Sequence, residues 1–333
     1  MRITLCQGAT RSPNRVAGCA AVGLSASLHG VPLVVVAHGV RWRLESKLPG
    51  VSRALQVLQA AAPERPVVFA DGTDTVFVRS ARSDVDGALL QQVSRSSGRV
   101  VFSAECGSWP RCYRANYTGH ALHHACLAKG HRTCFPNSGA YIGSSSALLR
   151  LLPELVRAQA PGFGNKAEEG DDQAAVHFAL LGTVARGMDL AMDEESDLFL
   201  NMNACKGSGR LKKYHGLTER CHFGPYEPMK TLTRSYGAPG QLTIGQRVSG
   251  KTHSPLLVHA NGNHDRLDRT FFGRPGAGGE LRLSREAARN LTALWRGALL
   301  PQPNAQLLHP VLLIDSARGG PCRIATLDEL LRS

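Results

Sequence analysis

A hydrophobic run, Val67-Val68-Phe69-Ala70, ends abruptly in Asp71-Gly72-Thr73-Asp74. A buried strand that delivers two carboxylates, three positions apart, into the turn at its carboxyl end sets hard oxygen donors where open α/β sheets bind ligands. Such donors suit Mg2+ or Mn2+, which can bridge a protein and a diphosphate. The same fragment also reads as a plain Asp-Gly turn with Asp74 capping a helix. A second acidic cluster is Glu168-Glu169-Gly170-Asp171-Asp172-Gln173, where Asp171 or Asp172 can cap the helix that begins there. In Val258-His259-Ala260-Asn261-Gly262 an imidazole stands at a strand end beside a turn. It can ligate a metal there, although a solitary His is more often simply hydrogen-bonded. A fourth fragment, Phe135-Pro136-Asn137-Ser138-Gly139-Ala140-Tyr141-Ile142-Gly143, places polar residues before a strand.

Each fragment alone is weak, but their order is specific. The chain runs from Asp71-x-x-Asp74 to Phe102-Ser103-Ala104-Glu105-x-x-x-Trp109-Pro110, then to Asn137-Ser138-Gly139-x-Tyr141-Ile142-Gly143. Asp171-Asp172-Gln173 and Val258-His259-x-Asn261-Gly262 follow. Across about Val31 to Gly273 this resembles the glycosyltransferase domain of the procollagen lysyl hydroxylase family and its relatives in algae and large viruses. The resemblance implies a GT-A fold, a Rossmann-like nucleotide-sugar-binding α/β fold with a mixed central sheet. It implies a UDP-sugar donor, UDP-glucose or UDP-galactose, used with Mn2+ or Mg2+. Asp71, Asp74 and His259 match the family's metal ligands, and Asp171 and Asp172 match the catalytic acidic pair beside the donor sugar. Trp109 and Asn137 match sugar-pocket positions, and Asn261 and Gly262 match the loop that holds the diphosphate. Thr73 stands where the family carries an aromatic near the uracil, and Arg266 stands near the place of an expected lysine. The implied acceptor is a hydroxyl on a protein or glycan, of the hydroxylysine or galactosyl-hydroxylysine type on a collagen-like protein. The implied compartment is the lumen of the ER or Golgi.

The chemistry of the residues agrees with that assignment. Transfer from UDP must stabilise a departing diphosphate, and a divalent ion held by two carboxylates and an imidazole neutralises the developing charge. Backbone N–H groups around Asn261-Gly262 can add hydrogen bonds to phosphate. A nearby carboxylate can position sugar hydroxyls or serve as base for the acceptor. A 2-oxoglutarate iron site needs a His-x-Asp or His-x-Glu element, and no His in this sequence is followed two positions later by an acid. Lysyl hydroxylation is therefore not expected. A haloacid-dehalogenase-like phosphatase needs a second Asp two positions after its nucleophile, where this chain has Thr73. The remaining alternative is a domain of the same fold that binds a nucleotide sugar or glycan without turning it over.

Elements that position these residues are legible as short apolar runs alternating with amphipathic stretches, the pattern of an α/β sheet with covering helices. Strands are expected over Ile3–Cys6, Pro32–His38, Val67–Ala70, Val100–Ala104, Gly139–Gly143, Leu256–His259 and Val311–Ile314. Helices are expected over Val16–Leu28, Val51–Ala62, Ser146–Leu155, Asp172–Leu181 and Ser284–Leu299, with a terminal helix capped through Thr326 and Glu329. The Gly-rich stretch after Gly273 reads as a linker. It divides the chain into a main domain over 1–273 and a C-terminal appendage over 274–333.

With 333 residues, 43% hydrophobic and 20% charged, the chain is large enough for a substantial core and too apolar for disorder. No run of 18 apolar residues marks a transmembrane helix. The first residues read as a strand and not as a signal peptide. The formal charge of +13 favours anionic partners, but no nucleic-acid motif accompanies it. Nine cysteines include no Cys-x-x-Cys pair. The cluster Cys106, Cys112, Cys126 and Cys134 reads either as disulfides or as free thiols. Asn116 and Asn290 lie in glycosylation sequons.

Overall fold

A computed structural model of the chain describes residues 2–5, 22, 26, 33–36, 47–61, 66–72, 74–77, 98–105, 120–131, 133–160, 170–201, 232–236, 242–246, 252–253, 255–259, 274–275, 281–282, 311–314 and 323–325. The central sheet is built on β1 (Arg2–Leu5), β2 (Leu33–Val36) and β3 (Pro66–Asp71), which are parallel, with β1 in the middle. β5 (Val100–Glu105) and β6 (Phe135–Ser144) complete its other half. β6 runs antiparallel between β3 and β5, and β7 (Leu190–Asp193) lies parallel to β5 at the edge. Beyond β2 the sheet continues through β15 (Val311–Ile314) and β16 (Arg323–Ala325). This is the expected α/β class with a mixed central sheet: β15, β2, β1 and β3 run parallel, while β16 and β6 run antiparallel to their neighbours.

Both faces of the sheet are covered, which is why β3 reads as an unbroken apolar run and not as an alternation. Val67 and Phe69 face one core with Phe102 and Tyr141. That core is closed by α1 (Lys47–Ala61), α3 (Ser145–Ala158) and α4 (Asp172–Leu180). Val68 and Ala70 face a second core with Ile142, Phe77, Phe199 and Leu257. Those last three residues belong to a small sheet of β4 (Thr75–Phe77), β12 (Leu257–His259) and β8 (Phe199–Asn201). The layers are helices, central sheet, small sheet.

Local chemistry sets the element ends. Helix α3 begins where the Ser144 hydroxyl accepts a hydrogen bond from the Ala147 N–H at 3.1 Å. Its buried Leu148, Leu151, Leu152 and Leu155 recur at helical spacing, while Pro153 lies on the exposed face. Helix α1 starts a turn earlier than Val51, because Pro49 is tolerated in a first turn. Strand β6 is longer than Gly139–Gly143. Its first residues, Phe135 to Asn137, pair with Glu105 to Ser103 despite having no apolar pattern of their own.

Helix α2 (Ala121–Ala128) was not expected; only His123 and Cys126 are buried in it, so it carries no apolar period. A disulfide from Cys126 to Cys134 ties it to the start of β6, so for these two cysteines the bonded reading holds. The remaining described strands are β9 (Leu232–Tyr236), β10 (Leu242–Gln246), β11 (Thr252–His253), β13 (Arg274–Pro275) and β14 (Leu281–Arg282), which form two small antiparallel sheets. Of the helix expected over Val16–Leu28, Val22 and Ala26 are described; both are helical and buried. The helix over Ser284–Leu299, the terminal helix, both sequons, Cys106 and Cys112 lie outside the described residues.

Tyr141 is the centre of the helix-side core. Its ring stacks on Phe69 with centroids 4.7 Å apart and meets Phe102 at 5.6 Å. These are its register partners on β3 and β5, so three aromatic rings fasten three strands. Phe69→Ala should cost about 3–5 kcal/mol of unfolding free energy, because it removes a fully buried ring and leaves a cavity beneath Tyr141. Urea denaturation of the purified protein measures this directly.

Candidate metal centre

Strand β3 ends at Asp71, and the chain turns through Gly72 and Asp74 straight into β4. Asp74 therefore precedes a strand and does not cap a helix. The Thr75 hydroxyl donates to the Asp71 carbonyl and closes this turn. Strand β12 pairs antiparallel with β4, with His259 opposite Thr75. That pairing brings an imidazole from nearly two hundred residues later to the two carboxylates. His259 Nε2 lies 3.3 Å from Asp74 Oδ2 and 3.9 Å from Asp71 Oδ2. One ligand atom from each residue falls within 4.8 Å of the others. Asp74 and His259 are buried, whereas the Asp71 side chain keeps 26% of its exposure.

The irregular middle of β6 makes room for the imidazole. Pairing with β5 jumps from Phe102↔Tyr141 to Ser103↔Asn137, so Ser138, Gly139 and Ala140 bulge out of that ladder. A Cβ on Gly139 would lie 2.1 Å from His259 Cε1 and 2.7 Å from both ring nitrogens. The ring rests on the bare α-carbon, and only glycine permits it. Asn137 Oδ1 accepts the Gly139 N–H at 2.9 Å and the Ser103 hydroxyl at 3.0 Å, which holds the bulge in shape. Its amide donates to Gln173 Oε1 at 3.1 Å and to Glu105 Oε1 at 3.4 Å. Gln173 Nε2 also donates to Glu105, and Asn201 Nδ2 donates to the Ser103 hydroxyl and the Ala104 carbonyl. Asn137 is thus the hub of a buried polar network joining β5, β6, β8 and α4.

The acidic pair at the start of α4 divides its work. Asp171 is the N-cap, its Oδ1 accepting from the Ala174 N–H at 2.8 Å. Burial, reinforced by the neighbouring Asp172 charge, pushes its carboxyl up to about 6. Asp172 Oδ2 instead lies 2.6 Å from Lys47 Nζ. The same ammonium is 2.7 Å from Asp71 Oδ1, donates to the Ser138 carbonyl at 3.2 Å, and stands 5.2 Å from the centre of the Phe69 ring. Burial works against the Lys47 charge, but Asp172 and Asp71 more than offset it and hold its pKa well above the ordinary lysine range. Burial pushes Asp71 up to about 6, with Lys47 opposing and Asp74 adding to the rise. Burial would lower His259, yet the Asp74 carboxylate outweighs it and raises the imidazole above its usual value.

Sequence reasoning did not find Lys47 or Asn201, and it carried Gln173 within the Asp171-Asp172-Gln173 motif without a role. Nothing in type or spacing marks Lys47, beyond its being one of only eight lysines among 39 basic residues. Thr73, Trp109, Asn261, Gly262 and Arg266 lie outside the described residues.

The donor set fits a divalent cation. Two carboxylates and an imidazole with ligand atoms within 4.8 Å of one another can hold a divalent cation. Three carboxylates, Asp71, Asp74 and Asp172, are gathered with one ammonium, Lys47, which pairs with Asp71 and Asp172, so with a neutral imidazole the cluster lacks two positive charges. His259 Nδ1 is buried with no hydrogen-bond partner among the described residues, while Nε2 faces the carboxylates.

No protein-family model matches the sequence, and no curated protein matches it. Among solved structures it is similar to the crystal structure of a glycosyltransferase involved in the glycosylation of the major capsid of PBCV-1. The identity is 12% and the TM-score 0.36, over 61% of this chain and 85% of that one. Among the described residues no helix is long and apolar enough to cross a membrane.

Gly139→Ala should lower Mn2+ affinity by about 10- to 100-fold, because the new methyl displaces the His259 ring. Calorimetric titration with Mn2+ measures the loss, and an unchanged far-UV spectrum shows that the fold persists.

Proposed function

We propose that this chain is a metal-dependent glycosyltransferase of GT-A type that moves a hexose from UDP-glucose or UDP-galactose to a hydroxyl acceptor. The observation that carries the reading is the convergence of Asp71, Asp74 and His259 at the carboxyl end of β3, with Asp172 tied to the same cluster. A carboxyl-end crevice in an α/β sheet is where nucleotides bind.

A bound divalent cation would supply positive charge against the diphosphate that departs with the nucleotide. Asp71, Asp74 and His259 are the residues that would hold it. Asp172 would orient the donor sugar's hydroxyls or accept the proton of the incoming hydroxyl. Asp171 fixes the first turn of α4, and so the position of Asp172, through its cap. Asn137, assigned to the sugar pocket by resemblance, holds the β6 bulge beside the cluster through its contacts to Ser103, Glu105 and Gln173. Trp109 at the sugar, Asn261, Gly262 and Arg266 at the diphosphate, and Thr73 near the base are assigned by resemblance. Residues 1–273 carry the site in this reading. Residues 274–333 form an appendage that lends β15 and β16 to the far edge of the sheet. The acceptor assigned by the same resemblance is a protein or glycan hydroxyl, collagen-like in type, met in the ER or Golgi lumen.

The test is UDP release with Mn2+ across UDP-glucose, UDP-galactose, UDP-glucuronate and UDP-N-acetylglucosamine. One hexose donor should be consumed, with activity abolished by EDTA and reduced at least about a hundredfold in Asp74→Ala. Tight UDP and Mn2+ binding with no release on any acceptor would instead indicate a binding domain of the same fold.

A further inference from the structure

Lys47 Nζ stands 2.7 Å from Asp71 Oδ1 and 2.6 Å from Asp172 Oδ2 in ion pairs, and it donates a hydrogen bond to the Ser138 carbonyl at 3.2 Å. The ammonium is buried among these three oxygens, so its charge falls first on the two carboxylates. It acts on the carboxylates. Asp71 gives Oδ1 to Lys47, while its Oδ2 faces His259 Nε2 and the rest of the metal cluster. Asp172, on another element, is held by the same nitrogen. The Ser138 carbonyl is available because the β6 bulge exposes it, and that bulge also seats His259 on Gly139. Lys47 itself is fixed by the first turn of α1, whose Leu48 and Val51 are fully buried, and it is only 3% exposed. Three acceptors from three elements suit a compact ammonium and not the planar fork of an arginine.

We propose that Lys47 is a positioning residue of the metal centre: it fixes the Asp71 carboxylate by one oxygen, turns the other to the cation, and links cation binding to Asp172. The inference rests on the metal-dependent reading above. It also has a signature that a mere neighbouring charge lacks. Removing a positive charge beside a cation site should tighten cation binding by simple electrostatics. Removing a positioning residue should weaken it.

The experiment measures Mn2+ affinity by electron paramagnetic resonance in wild type, Lys47→Met and Lys47→Met/Asp172→Asn. Lys47→Met leaves the buried Asp172 carboxylate facing the part-buried Asp71 carboxylate and can fail to fold. The double variant removes one charge of each sign, so it relieves that repulsion and leaves the net charge near the cation unchanged. Cooperative thermal melting identifies which variants are folded. Each folded variant should bind Mn2+ about tenfold more weakly than wild type. Binding as tight as wild type, or tighter, in either folded variant would overturn the proposal. A wild type that binds no Mn2+ would overturn both this inference and the reading beneath it. Mn2+ binding without hexose transfer would overturn only the transferase, and the variants would still decide the role of Lys47.

Discussion

Carboxylates gathered in a protein interior repel one another and lose their hydration, so they stay together only where opposite charge is built in among them. Here that charge is the Lys47 ammonium, held 2.7 Å from Asp71 and 2.6 Å from Asp172. It pairs with one oxygen of each acid and, with a neutral imidazole, leaves the cluster two positive charges short. That shortfall suits a divalent cation, as does the donor set of Asp71, Asp74 and His259. Burial raises Asp71 to about 6 and Asp74 raises His259, so a cation would also have protons to displace.

The layered fold is the means of bringing these groups to one place. β3 delivers Asp71 at the open edge of the central sheet, and the turn after it passes through Asp74 into β4 of the small sheet. Because β12 pairs with β4, His259 reaches the same turn. α1 contributes Lys47 and α4 contributes Asp172 from the opposite face of the central sheet. The strand between them, β6, is regular where Tyr141 must stack on Phe69 and irregular where Gly139 must admit an imidazole. Core packing and site geometry therefore meet within three residues of one strand.

Several of these features are legible in the sequence. The apolar run ending in Asp71-x-x-Asp74 announces a strand and its acidic turn, because both faces of β3 are buried and the carboxylates stop the run. The strand ending at His259 and the helix opening at Asp172 are equally plain. Their convergence is not, since β12 and β4 are far apart in the chain and only the ordered resemblance of the motifs suggests that they meet. Lys47 is invisible because its role depends on acceptors from three other elements, and the helix pattern becomes apolar only a turn later. Helix α2 is hidden for a different reason: a disulfide anchors it in place of an apolar stripe. The early part of β6 is hidden because backbone pairing with β5, reinforced by the side-chain hydrogen bonds of Asn137, and not hydrophobic alternation, sets it in the sheet.

The central claim is that Asp71, Asp74 and His259 bind one cation together. Pulsed electron paramagnetic resonance on protein loaded with one equivalent of Mn2+ tests it most directly. The account predicts nitrogen modulation from a directly bound imidazole, present in wild type and lost in His259→Ala while the protein remains folded. Mn2+ that binds without any nitrogen coupling, or coupling that survives the His259 substitution, would contradict it.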